Sequence, residues 1–380
     1  MATRRLHDIV PPPRTERAVI VGHAQRDGHD LPRSLEELRR LADTAGARVL
    51  GEIVQRRGTI HPAHFIGKGK MDEVKALAEE KQADIAIFND DLSPPQVRNL
   101  EKSLGVKVVD RSELILDIFS RRARTRESRL QVELAQLEYM LPRLTGMWKH
   151  LERQAGGIGT RGPGETQLET DRRLVRERIA RLKRDLVSVE KERETQRRRR
   201  RREFRAALVG YTNAGKSTLF NAMTRADVFV EDRLFATLDA TTRQMVSPER
   251  QVVLLTDTVG FIRKLPHHLV ASFHSTLVEA IEADLLLHVV DAADPDVARQ
   301  MAAVEGVLSD LLKTPRPTTL VFNKCDQLEE ETVAGLRARW PGCHVVSART
   351  GTGLTDLRRE LWALASAARS TPAVAAQSRE

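Results

Sequence analysis

Cysteine is nearly missing from this chain: two stand in 380 residues, Cys325 and Cys343. Two thiols cannot build a disulfide framework, and neither sits in a metal-ligand spacing. A disulfide-stapled secreted domain and a cysteine-ligated zinc centre are therefore excluded, and a reducing cytoplasm is the expected compartment. Long apolar runs are missing as well; none approaches the roughly 20 residues that a membrane-crossing helix needs. Residues 1–5 are basic but lack an apolar signal core, and three prolines follow at 11–13. Residues 1–16 are expected to form a flexible tail rather than a targeting sequence, and 368–380 a second tail.

What is present is enough chain for two or three domains, each able to bury a core, and an uneven distribution of charge. Residues 121–205 carry 25 basic and 13 acidic side chains, a net of +12, whereas the whole chain is +9. The cationic character belongs to this middle segment, where positions 197–202 are six arginines with no acid among them. A local excess of this size is an electrostatic footprint for a polyanion, RNA above all.

Three regions follow one another. In residues 17–120, short β-rich runs at 18–21, 48–54, 84–88 and 106–109 alternate with helical periodicity at 34–45, 70–81 and 94–104. Ser34 reads as an N-cap with Glu37 three residues on. The alternation predicts a small parallel α/β domain. Its chemistry is thin: Gly67-Lys68-Gly69-Lys70 lacks phosphate-loop spacing and reads as a solvated turn before a helix, and His61 and His64 as loop histidines with no further ligand nearby. In residues 121–202 the period changes. Leu130, Leu134, Leu137, Leu141, Leu144 and Trp148 form one heptad seam, and Val175, Ile179, Leu182, Leu186 and Val189 a second, which predicts an antiparallel helical hairpin. Pro142 should end or kink the first helix near Leu141. Between the arms, residues 154–165 hold five glycines, Pro163 and Arg161, a loop able to approach another surface closely.

The third region, 203–367, carries the densest chemistry. Gly210, Tyr211, Thr212, Asn213, Ala214, Gly215, Lys216 and Ser217 match G-x-x-x-x-G-K-[ST], behind a strand at 204–209 and ahead of a helix at 218–223. In that pattern backbone N–H groups cradle phosphates, the lysine reaches the β- and γ-phosphates, and the serine hydroxyl holds Mg²⁺. Asp257, Thr258, Val259 and Gly260 give D-x-x-G after the strand 252–255. The aspartate can hold Mg²⁺ through water, and the Gly260 N–H can meet the γ-phosphate, joining Lys216 at the reacting group. Asn323, Lys324, Cys325 and Asp326 give N-K-x-D after the strand 319–322. A carboxylate there accepts from two N–H donors on one base edge, which guanine offers and adenine does not, so GTP rather than ATP is implied. Ser347, Ala348 and Arg349 follow a strand at 345–346, where backbone N–H can approach the guanine oxygen. The segment Phe235, Ala236, Thr237, Leu238 and Asp239 should supply a second hydroxyl for Mg²⁺; Thr237 is preferred, and spacing leaves Thr241 and Thr242 open.

These motifs together resemble the HflX GTPases, near relatives of the Obg group. The resemblance extends upstream through Phe65 to Lys70 (F-I-G-K-G-K), residues 133–148 and the glycine loop, and covers about 15–366. It implies an α/β protein with a phosphate-loop GTPase domain whose mostly parallel sheet is flanked by helices. It also implies a cytoplasmic enzyme acting on the large ribosomal subunit and its rRNA, linked to splitting or rescuing stalled ribosomes under stress; separately, a monomer is expected, although the sequence does not fix the oligomeric state. The nucleotide contacts carry onto the residues named above, with Mg²⁺ on Ser217 and Thr237. Longer members add a C-terminal domain, whereas only 371–380 follow the last predicted helix here.

One position limits the chemistry. Small GTPases often place a glutamine after D-x-x-G to orient the attacking water, and here that position is Phe261, which cannot hydrogen-bond. Hydrolysis is expected to be slow alone and faster on ribosomal subunits. His267, His268 and His274 read as surface or helix residues rather than as its replacement. Two other readings stand beside this one: an RNA-binding module in which nucleotide is structural, and a GTPase of tRNA modification, which the lack of a cysteine in 370–380 disfavours.

Overall fold

Four short apolar runs become the sheet of the N-terminal region. β1 (Glu16–His23), β2 (Ala47–Gln55), β3 (Ile85–Phe88) and β4 (Lys107–Asp110) pair in the order β2-β1-β3-β4, every pair parallel. β3 is buried at all four positions, as a strand covered on both faces requires. The computed structural model describes residues 15–24, 31–56, 59–144, 163–200, 203–224, 226, 231, 233–263, 279–312 and 314–370. It divides into two compact units, Met1–Asp117 and Ile118–Glu380.

In the first unit, α1 (Leu31–Thr44), α2 (Lys68–Glu80) and α3 (Pro94–Leu104) join the strands. α3 has sequence-encoded ends. Ser93 accepts from the Gln96 N–H while Gln96 accepts from the Ser93 N–H, prolines occupy the first turn, and Gly105 closes the helix at φ 73°. The N-cap expected at Ser34 is not formed. α1 begins at Leu31, because Pro32 is accepted in a first turn whose N–H groups lack partners anyway. Ser34 is instead buried inside the helix and donates to Asn89 Oδ1 at 3.0 Å. Asn89 Oδ1 also accepts from the buried Arg111, which pairs with Glu37, so the interior cation has its counter-charge. Gly67 is the N-cap of α2, and His61 lies in a loop bridged to Phe65. α4 (Arg111–Arg122) follows β4 without a turn.

The second unit contains the arm and the larger sheet. α5 (Arg126–Met140) gives way to a 3-10 turn, Leu141–Leu144, where Pro142 breaks the ladder. α6 (Pro163–Arg200) is the long return helix, and it takes in Pro163 and Gly164, which the sequence assigned to the loop; a first-turn proline costs the helix no hydrogen bond. Leu134, Leu182 and Val189 are buried along the two seams. Glu127 pairs with Arg193 and Glu138 with Lys183, so advancing along α5 means retreating along α6, as in an antiparallel hairpin. Trp148, Arg161, His267, His268 and His274 lie outside the described residues, as do 154–162 of the glycine loop and the side chains of the 197–202 run.

β5 (Phe204–Gly210), β6 (Thr241–Val246), β7 (Val252–Asp257), β8 (Leu285–Asp291), β9 (Thr318–Asn323) and β10 (His344–Val345) form a sheet ordered β10-β9-β8-β5-β7-β6. Only the edge strand β6 runs antiparallel to its neighbour. α7 (Lys216–Thr224), α8 (Val297–Leu311), α9 (Glu330–Arg339) and α10 (Leu354–Ser370) cover it. Leu208, Leu219, Phe220, Leu255, Leu287 and Leu357 build the core that fixes where β5, β7 and β9 end. The functional loops all leave these strand ends.

Candidate functional site

β5 is central and fully buried towards its end, so the loop after it is held by the sheet rather than by its own contacts. Gly215 turns the chain at φ 86°, where a Cβ would also run into Asn323 Nδ2. Lys216 opens α7 with its ammonium buried, donating to the carbonyls of Tyr211 at 2.7 Å and Gly210 at 3.1 Å. Burial pushes its pKa down to about 8, against the pull of Asp257. A desolvated cation beside a helix N-terminus is poised for phosphate. Behind it on β8 lies His288, whose pKa burial and the Lys216 charge push down to about 4.

Ser217 Oγ donates to Asp257 Oδ2 at 2.6 Å and lies 2.7 Å from Thr237 Oγ1. Burial pushes the Asp257 carboxyl upwards, against Ser217 and Lys216, and its Oδ1 is buried with no partner. Three oxygens from three segments thus converge beside an unsatisfied carboxylate oxygen. That donor set fits a hard divalent cation such as Mg²⁺. Thr241 and Thr242 are not part of it: both belong to β6, and Thr242 Oγ1 meets Thr256 Oγ1 at 2.9 Å.

The pocket around these groups is lined by Thr212, Asn213, Gly215, Lys216, Ser217, Thr218, Phe235, Ala236, Thr237, Thr258 and Gly260, and also by Glu231 and Arg233, which the sequence reading missed. Gly260 approaches so closely that a Cβ would stand 2.7 Å from Thr212 Cα and 3.0 Å from Lys216 Nζ. Gly210, Tyr211 and Ala214 frame the loop from behind. The Tyr211 hydroxyl accepts from the Arg263 N–H at 2.9 Å, and Phe261 is locked to the phosphate loop by Thr212 N–H to Phe261 O at 2.7 Å and Phe261 N–H to Gly210 O at 3.1 Å. The Phe261 side chain is buried. Thr258 donates to Leu208 O at 2.6 Å, and Val259 and Leu238 are buried.

The base-reading residues form a second cluster tied to the first. Asn323 Nδ2 donates to Ala214 O at 3.0 Å while its Oδ1 accepts from the Ala348 N–H at 3.0 Å, so one side chain joins three loops. Lys324 takes φ 67° and its ammonium pairs with Asp291 at 2.6 Å. Ser347 donates to Asp326 Oδ1 at 2.6 Å, which aims the carboxylate. Cys325 packs with the α9 side of the core, and Arg349 is exposed.

Asp239 faces elsewhere. Its carboxylate accepts from the Thr125 hydroxyl at 2.6 Å and from the N–H groups of Arg124 and Thr125 at 2.9 and 3.3 Å. These are the residues that start α5, with Thr125 its N-cap. Phe235 meets Phe119 edge-on at 4.7 Å between centroids, and Arg122 pairs with Glu231 at 2.5 Å. The segment that offers Thr237 to the pocket is therefore fastened at three points to the root of the arm. No spacing rule links positions so far apart in sequence.

Known proteins resemble the chain along most of its length. Residues 32–120 match the family described as GTP-binding GTPase N-terminal, 122–200 the GTP-binding GTPase Middle Region, and 205–324 the 50S ribosome-binding GTPase family. A GTPase HflX from Caldanaerobacter subterraneus is 55% identical over 316 residues, 83% of this chain and 73% of that protein. A GTPase HflX from Escherichia coli is 47% identical over 350 residues, 91% and 82% of the two chains. The crystal structure of the SsGBP–GDP complex matches 93% of this chain and 99% of its own with a TM-score of 0.51 at 23% identity, a likeness of fold.

Proposed function

This chain belongs to the HflX family of GTPases, and from that premise we propose that it binds the large ribosomal subunit through its cationic arm and separates or rescues stalled ribosomes under stress. It hydrolyses GTP. In the proposed cycle the loop 210–217 and Lys216 hold the phosphates, the Gly260 N–H meets the γ-phosphate, and Asp326 selects guanine. Ser217 and Thr237 would hold Mg²⁺, which supplies charge neutralisation for the phosphates when bound. Phe261 cannot orient water, so turnover is slow until rRNA or ribosomal protein orders the segment 231–239 or lends a polar group.

The observation that carries this reading is the contact of Asp239 with the first residues of α5. Thr237 can meet the cation only in one position of its segment, and Asp239, two residues on, passes that position to the arm. The name of the family matched by 205–324 and the excess of positive charge in 121–205 both support a ribosomal target.

The test is co-sedimentation with separated ribosomal subunits in GDP and in a non-hydrolysable GTP analogue, at two salt concentrations. Large-subunit binding that is stronger with the analogue is expected, and GTP turnover should rise when large subunits are added. Equal turnover with and without them would sink the proposal. Lys216→Ala separates this from an RNA-binding module with structural nucleotide: it should abolish nucleotide-dependent subunit binding, whereas unchanged RNA affinity and unchanged subunit binding would favour the module.

A further inference from the structure

Two charged side chains line the phosphate pocket that no phosphate-loop rule places there, Glu231 and Arg233. Their signs make them unequal. A carboxylate facing a pocket for three phosphates is repelled by its ligand and must be neutralised or withdrawn, while a guanidinium is attracted. Glu231 is already neutralised from both sides: Arg122 reaches it at 2.5 Å and Arg233 at 3.2 Å. The two cations differ in freedom. The Arg122 side chain is 18% exposed, whereas that of Arg233 is 46% exposed and makes the longer contact. When phosphates enter, the cation with the weaker hold and the open path is the one to change partner.

We propose that Arg233 is an arginine supplied in cis to the terminal phosphates of GTP, held by Glu231 and released to the nucleotide on binding while Arg122 keeps Glu231 in place. In hydrolysis a water oxygen bonds to the γ-phosphorus and gives up a proton to the departing phosphate or to solvent, the bond from that phosphorus to the β–γ bridging oxygen breaks, and GDP leaves with the electron pair. A planar guanidinium can bridge the γ-phosphate and the bridging oxygen, where that charge gathers. Arginines in cis or in trans serve other nucleotide hydrolases in this way. The arrangement also addresses the gap at Phe261. A chain that cannot orient water through the residue after D-x-x-G gains from charge stabilisation elsewhere. Arg122, which precedes α5, acts as a positioning residue, since it decides whether Glu231 competes for Arg233.

This inference rests on the GTPase activity and not on the ribosomal target, so its test uses the purified full-length chain without ribosomes. Arg233→Ala should lower intrinsic kcat/KM for GTP at least fivefold while the Kd of a fluorescent GDP analogue changes less than threefold. A smaller loss of kcat/KM overturns the assignment, and so does a fall in GDP affinity as large as the fall in kcat/KM, which would mark a structural role. Glu231→Gln removes the charge that stores Arg233 and should raise intrinsic kcat at least twofold. Turnover at or below the parent value overturns the storage role of Glu231. The contrast between the two variants is the signature, because misfolding would depress both.

Discussion

Removing the Asp239 carboxylate should disconnect the nucleotide from the arm while leaving both intact. The carboxylate collects three hydrogen bonds from Arg124 and Thr125, one of them 2.6 Å long. Charge-assisted bonds of this kind contribute about 1.5–3 kcal/mol each when buried. These are exposed to solvent, so we take about 2 kcal/mol for the set, which corresponds to roughly 30-fold in an equilibrium constant. The ratio of large-subunit affinities with a GTP analogue and with GDP should therefore shrink by up to about 30-fold in Asp239→Ala. Thr125→Val, which removes only the hydroxyl, should shrink it less. Guanine-nucleotide affinity in the free protein should change little, since the carboxylate faces the arm rather than the pocket. Sedimentation or fluorescence titration against isolated large subunits gives the ratio directly. A variant that binds large subunits with the undiminished nucleotide preference of the parent refutes the reasoning.

Other expectations follow from the same geometry. Asp326→Asn exchanges an acceptor for an amide that can donate, so affinity should move from GTP towards XTP, whose base carries a carbonyl in place of the amino group; losing two charge-assisted bonds of about 1.5 kcal/mol each should cost GTP on the order of 100-fold in a competition assay, and unchanged selectivity would remove Asp326 from base reading. His288 is held neutral with its folded pKa near 4 against an ordinary value near 6.5, so the unfolded chain binds the extra proton and stability falls as pH drops through that window. His288→Gln should flatten this dependence by about 2 kcal/mol between pH 6.5 and 5 in denaturant titrations of the nucleotide-free protein, and an identical slope in parent and variant would contradict the buried neutral imidazole. Leu182 is fully buried on the α6 seam, and Leu182→Ala should destabilise the hairpin by about 3 kcal/mol. Amide exchange in α6 should then accelerate on the order of 100-fold while β5 keeps its protection.

What could be read from sequence was whatever depends on short spacing. The phosphate loop, D-x-x-G and N-K-x-D are each set within a few residues of a strand end, and the structure brings Ser217, Thr237, Asp257 and Gly260 together and ties Asn323 to Ala214. The arm's heptads were legible because Leu182 and Val189 repeat on one helical face. α4 was not, because Leu114, Ile115, Leu116, Ile118 and Phe119 are all buried and leave no amphipathic period to detect. β6 was missed for the opposite reason: it is an edge strand, polar and partly exposed. Ser34 misled because a serine followed by glutamate resembles a cap, while Pro32 had already started the helix. Arg124 and Thr125, which hold Asp239, and Arg122, which holds Glu231, lie more than 100 residues away in the chain, and no local pattern encodes such a meeting.

Coupling through Asp239 and Glu231 runs in both directions, from nucleotide to arm and from arm to nucleotide. If the position of Thr237 biases the start of α5, then the start of α5 must bias Thr237 by the same free energy, since binding linkage is reciprocal. An arm seated on RNA would then favour the segment geometry in which Thr237 meets Ser217 and Asp257, and would tighten GTP relative to GDP by the factor with which GTP tightens the subunit. The segment is placed to transmit this because its fastenings differ in kind: an aromatic contact at Phe235, an ion pair at Glu231 and a carboxylate on N–H groups at Asp239. High salt should weaken the ion pair and spare the aromatic contact. Coupling that survives high salt would therefore be carried mainly by Phe235 against Phe119, whereas coupling that fades with salt would be carried by the charged pair, so the ionic-strength dependence of the affinity ratio separates the two routes.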